Sequence, residues 1–104
     1  HQLTISIYKI TQKFPKEEKY ALTDQLRRAC SSITANIAEG FGRFHYKDKA
    51  KFYHQARGSL KEVQSFLILI KDLEYISEKT FDELWKKSKT CEKLINGLVR
   101  ATKK

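Results

Sequence analysis

An all-α, up-down four-helix bundle is the fold this 104-residue sequence predicts. Three observations lead there. Apolar residues recur at alternating three- and four-residue spacings in four segments, the period of a helix with one buried face. One proline and four glycines leave few positions that interrupt a helix. No segment alternates apolar and polar residues in the period-two pattern of a strand. The length and a hydrophobic content of 40% fit one domain over residues 1–104 with a modest core.

The first helix is carried by Leu3, Ile7, Ile10 and Phe14, and Pro15 should end it, because the residue before a proline is pushed out of the helical region. "PKEEKY" is the connector. Thr23 is the expected N-cap of the second helix, with Asp24 favouring the positive end of the helix dipole. Its inward stripe is Leu22, Leu26, Ala29, Ile33, Asn36 and Gly40, widened by Cys30, Ile37 and Phe41. Gly40 and Gly42 should terminate it, since glycine readily adopts the left-handed conformation. After a turn at "FHYKDK", the third helix runs from about residue 47 to 75, with Tyr53, Ala56, Leu60, Val63, Leu67, Ile70 and Leu73 on one stripe. Gly58 within it costs about 1 kcal/mol relative to alanine. That cost implies a close approach, with "ARGSL" near "NIAEG". Ser77 caps the fourth helix, whose stripe is Phe81, Leu84, Ser88, Cys91, Ile95 and Leu98.

Apolar surface is in surplus. "FLILI" (residues 66–70) is apolar all round its helix, although Leu67 and Ile70 alone fit the core seam. Phe66, Ile68 and Leu69 spread around the rest, and Phe41, Phe44, Tyr46, Phe52 and Tyr53 cluster about the turn between helices two and three. Such surface marks an interface. A homo-oligomer buried at Phe41, Phe44, Phe52, Phe66, Ile68 and Leu69 is expected, unless the first helix covers this surface within one chain.

The formal net charge is +9, which favours anionic partners: nucleic acid, an anionic membrane surface or an acidic protein. The charge is uneven. Residues 43–61 balance at +5, residues 62–85 at −4 and residues 86–104 at +6. Lys86, Lys89, Lys93, Arg100 and Lys104 form a ridge opposite the apolar seam of helix four. Arg43, Lys47, Lys49, Lys51, Arg57 and Lys61 form a second basic region. Ridges of this kind bind phosphates without reading sequence. Phe44, Tyr46 and Tyr53 are interleaved with the second region and suit base stacking, but core or interface packing is their simpler reading. A membrane-surface role fits less well, because the bundle needs its apolar faces.

Catalytic and metal-binding patterns are missing. His45 and His54 belong to neither Glu-x-x-His nor His-Glu-x-x-His, and no arginine precedes them at the four-to-six-residue spacing of small helical ribonucleases. Ser32, Asn36, Glu39 and Arg43 line one side of helix two. They read either as a ligand or metal pocket or as a buried polar network fixing packing register, and one carboxylate makes a poor metal site. The structural reading is preferred, and no metal or cofactor is expected. Cys30 and Cys91, with no CxxC, no secretory signal and no membrane span, suggest reduced thiols in a cytoplasmic protein.

"FPKEEKYALTDQLRRACSSITANIAEGFGR" and "FYHQARGSLKEVQSFLILIKDLEYIS" together resemble the four-helix bundle family encoded by intervening sequences in bacterial 23S rRNA genes. That family is similar to the accessory protein of diversity-generating retroelements. The resemblance covers about residues 5–100 and implies a homopentameric barrel of basic bundles. The similarity to the retroelement protein implies binding to nucleic acid and to a nucleic-acid-processing protein, a reverse transcriptase. Asn36, Glu39, Gly40, Arg43, Gly58, Ser59 and Glu62 fall on its pattern positions, none with an implied catalytic role. Glu74 stands where members often carry a helix-ending glycine. A non-enzymatic nucleic-acid-binding oligomer is therefore expected. The alternatives are an adaptor for an acidic protein, and a nucleic-acid-processing enzyme centred on Glu39 and a histidine.

Overall fold

The computed structural model describes residues 1–15 and 19–103. Its α-helices are α1 (Gln2–Thr11), α2 (Asp24–Phe41), α3 (Tyr46–Asp72) and α4 (Glu78–Ala101), with a π-helical turn at Lys19–Thr23 leading into α2. No strand occurs among the described residues.

Each neighbouring pair of helices runs antiparallel. Arg27 of α2 reaches Thr11 of α1, while Cys30 meets Thr4. Ser32 meets Ser59 across α2 and α3, and Gly40 meets Tyr53. Across α3 and α4, Arg57 meets Asn96, Lys61 meets Glu92 and Gln64 meets Ser88. The core follows the stripes the periodicity selects: Leu3 and Ile7; Leu26, Cys30 and Ile33; Leu60, Val63, Leu67 and Ile70; Leu84 and Ile95. Each such aliphatic side chain contributes about 1.5–3 kcal/mol relative to leaving it exposed. At the end of α4 Val99 is buried where the spacing selects Leu98, and Leu98 and Phe81 are half-buried.

The helix ends depart from the sequence expectation. α1 stops at Thr11, one turn before Phe14. Arg27 Nε donates to Thr11 Oγ1 at 2.9 Å, and Lys13 and Phe14 turn their N–H groups to carbonyls three residues back. Phe14 is still buried, its ring 5.3 Å from that of Tyr75. Thr23 is not an N-cap. It is already helical, at φ −61° and ψ −44°, because the π turn precedes it. Its hydroxyl is buried with no partner among the described residues. Ser77 caps α4 as expected, accepting from the Thr80 N–H at 3.1 Å.

Helix α3 ends at Asp72, and Leu73 is exposed rather than on the core stripe. Glu74 takes the left-handed conformation, φ +63°. Its N–H bonds Lys71 O and the Tyr75 N–H bonds Ile70 O, both at 2.9 Å, which is the paired-bond stop that glycine favours. A side chain there is disfavoured by about 1–2 kcal/mol. Glu74→Gly is therefore expected to raise stability by about 1 kcal/mol, read as a higher urea midpoint with an unchanged slope.

The glycines exchange the roles the sequence suggests. Gly42 ends α2 with right-handed angles, φ −80° and ψ −4°, and no glycine has positive φ. Gly40 makes the close helix approach, against the buried Tyr53 ring. Gly58 has open space where a side chain would stand, so it provides no close approach within the chain. "ARGSL" does lie beside α2, but through Ser59, whose hydroxyl donates to Ser32 Oγ at 2.9 Å.

Candidate nucleic-acid interface

Because α3 and α4 are antiparallel, the start of α3 lies beside the end of α4. The first basic zone and the C-terminal part of the second, separated in sequence by the acidic one, thereby meet at one end of a molecule 45 Å long. The acidic zone, residues 62–85, forms the opposite end around the α3–α4 turn. The chain is electrically bipolar.

The cations of the basic pole are not equivalent. Lys47, Lys51, Lys93 and Arg100 are exposed, and none forms an ion pair among the described residues. Lys86 is exposed too, but it stands midway along the bundle beside Glu83, just before the Ser88 that meets Gln64, and does not reach the pole. Lys49 is committed to structure: its Nζ donates to Gly40 O at 3.0 Å and Phe41 O at 3.2 Å, capping the end of α2. Lys61 and Lys89 both pair with Glu92, at 3.3 and 3.4 Å. The Gln64 amide, and then the Lys61 and Lys89 ammonium groups, hold the Glu92 carboxyl below the usual carboxylate range. Arg57 donates to Asn96 Oδ1 at 3.3 Å and lies 2.8 Å from His54 Nδ1. Lys104 lies outside the described residues.

The expected four-residue polar network divides in two. Asn36 Nδ2 donates to Ser32 O and Oγ at 2.9 and 3.0 Å, and Ser59 joins at Ser32 Oγ. Glu39 and Arg43 form a separate, solvent-exposed pair at 3.1 Å. Asn36 is half-buried at the edge of the inward stripe, and Glu39 lies further round the helix in solvent. A buried polar link does exist, but between α3 and α4: Gln64 donates to Ser88 Oγ at 3.3 Å and to Glu92 Oε1 at 3.0 Å. Ser88, a hydroxyl among the apolar residues of its stripe, was the sequence signal for it.

The aromatic residues also separate. Tyr53 is core, and Phe52 is half-buried beneath the Arg43 guanidinium, 4.7 Å from its ring centre. Phe66 packs against its own chain's core. Neither Phe52 nor Phe66 is thus a free interface residue in the way the sequence suggests. Phe41, expected to widen the α2 core face, is 60% exposed because α2 ends there. Phe44 is 95% exposed and Tyr46 50%. Ile68 and Leu69 are exposed, as expected of interface residues, and Leu73 joins them.

Among the described residues, no group of three or more His, Cys, Asp or Glu side chains is placed to hold a metal. Burial, and then the neighbouring Cys91, push the Cys30 thiol up to about 12, far from the thiolate a nucleophile requires. Both cysteines are unpaired, and burial raises Cys91 as well. A surface groove lined by Tyr8, Arg27, Arg28, Ser31 and Ser32 lies away from the basic pole, and Asp24 compensates Arg28 there at 2.7 Å. No helix among the described residues is long and apolar enough to cross a membrane.

The family model of the 23S rRNA-intervening sequence protein matches residues 1–97. The chain belongs to this family. The fold agrees with a crystal structure at 1.70 Å of a protein of unknown function from the S23 ribosomal protein family of Bacteroides thetaiotaomicron VPI-5482. That protein is 22% identical and superimposes with a TM-score of 0.87, over 95% of this chain and 89% of the other. No curated protein matches the sequence.

Proposed function

We propose that this 23S rRNA-intervening sequence protein is a non-enzymatic nucleic-acid-binding bundle that works through its basic pole as a homo-oligomer. The observation that carries this reading is the approach of the +5 zone and the C-terminal part of the +6 zone at one end of the α3–α4 hairpin, with Lys47, Lys51, Lys93 and Arg100 exposed on that side and without an ion pair among the described residues. Clustered free cations release counterions when they meet phosphates, and that release drives binding. The name of the family speaks of 23S rRNA, which makes structured RNA the first probe.

Exposed Ile68, Leu69 and Leu73 on the outer face of α3 favour self-association. Five copies, the number the family resemblance implies, would multiply one modest pole into a strong field. Two unpaired thiols suit a reducing cytoplasm.

The test is binding of a labelled structured RNA and a matched DNA duplex across a salt series, with the protein's mass in solution measured. Sub-micromolar binding whose logarithm falls steeply with the logarithm of salt, at oligomer stoichiometry, is the expected result. Absence of binding at low salt overturns it. Retention by an acidic protein column in that case would favour the adaptor reading.

A further inference from the structure

We infer that the basic pole is built for unpaired rather than duplex nucleic acid, with Phe41, Phe44 and Tyr46 as platforms for exposed bases. This rests on the nucleic-acid function proposed above. Three large aromatic side chains within six residues are 60%, 95% and 50% exposed, and Phe44 stands on the chain reversal at the tip of the bundle. The core does not require them, since Tyr53 already fills the space at Gly40 and Phe52 lies under Arg43. They are set among Arg43, Lys47 and Lys51, and the positive end of the α3 dipole lies beside them, with Asp48 the acidic side chain of that first turn.

Charge decides between the occupants of this surface. A second copy covering Phe44 through a two-fold contact would bring two strongly basic poles together, and like charges repel; a ring pairs unlike surfaces instead, and the oligomer mass measured below separates that case. A polynucleotide brings phosphates to the cations and bases to the rings at once. In a duplex the bases are stacked on one another inside the helix, so the rings gain nothing. An unpaired strand offers free base faces, which stack on aromatic side chains whatever their sequence.

The test compares labelled oligoadenylate with a blunt RNA duplex of equal length at one salt concentration, using wild type, F44A/Y46A and F44W/Y46W. Wild type should bind the single strand at least about fivefold tighter than the duplex, one stacked base being enough for that ratio. F44A/Y46A should lose about 10- to 100-fold on the single strand and stay within about twofold on the duplex, with an unchanged salt slope. F44W/Y46W should restore single-strand binding. Because both side chains are exposed, the variants should keep wild-type melting temperatures. Equal affinity for both RNAs with F44A/Y46A silent overturns the inference while leaving nucleic-acid binding intact. A lower oligomer mass in F44A/Y46A also overturns it, by assigning the rings to an interface between copies. Absence of binding to either RNA at low salt overturns the proposed function and this inference with it.

Discussion

Gly40→Ala is expected to destabilise the bundle by about 1–2 kcal/mol, although alanine is the better helix former. A Cβ at residue 40 would lie 2.8 Å from Tyr53 Cδ1 and nearer still to Cε1. Carbon atoms do not approach so closely, so the ring or the helices must move. The ring has little freedom, because Tyr53 is 3% exposed and stands edge-on to Phe41 at 6.1 Å. Overpacking of this kind costs roughly 1–3 kcal/mol and occasionally more. Relief of the glycine penalty in a helix returns about 1 kcal/mol. The sign of the effect therefore depends on Tyr53, and a double-mutant cycle isolates it. In a Tyr53→Leu background the ring is gone, and Gly40→Ala should become neutral or stabilising. Urea unfolding of the four proteins measures this. A neutral Gly40→Ala in the wild-type background would mean that the α2–α3 contact yields easily.

The periodicity of the sequence placed Gly40 on the inward stripe of α2, and that part was correct. An inward glycine among leucines and isoleucines implies a large side chain opposite, and this was the signal for Tyr53. Its nearness to Gly42 suggested a helix stop instead. Sequence shows spacing, not which neighbour fills a gap. The same limit explains the ends. Thr23 has the chemistry of a cap, but a π turn makes it part of the helix. Phe41 continues the apolar spacing of α2 to its last residue, where no neighbouring helix remains to cover it. The polar residues Ser32, Asn36, Glu39 and Arg43 were identifiable as a set. Their division into a Ser32–Asn36–Ser59 link and an exposed ion pair depends on a helix angle that places Glu39 in solvent. The aliphatic seams of α2, α3 and α4 were readable almost residue by residue, because burial of one helical face leaves a periodic trace that no cap or loop can match. The joining of the first basic zone to the end of the second follows from the hairpin alone: helices of similar length folded back on a short turn bring their far ends together.

Lys47→Glu/Lys51→Glu should lower nucleic-acid affinity about 10-fold or more and reduce the salt slope by about 2. Both side chains are exposed, neither caps a helix nor pairs with a carboxylate, and their loss leaves the core untouched. Lys49, between them in sequence, should behave differently. Its ammonium group holds two carbonyls at the end of α2, so Lys49→Glu should lower stability and should not be read as a binding defect. Lys61 and Lys89 form a third class. Each is partly neutralised by Glu92, so single Lys→Glu changes there should alter binding less than at Lys47 or Lys51. Glu78→Lys/Asp82→Lys, at the acidic pole, changes net charge by the same amount in the opposite sense at the far end of the molecule. If binding followed net charge alone, these variants would strengthen it as much as the Lys47 and Lys51 variants weaken it. A local basic pole predicts a small gain at the acidic end and a large loss at the basic end. Anisotropy titrations at two or three salt concentrations decide between a general electrostatic attraction and a located site, and equal and opposite effects would refute the located one.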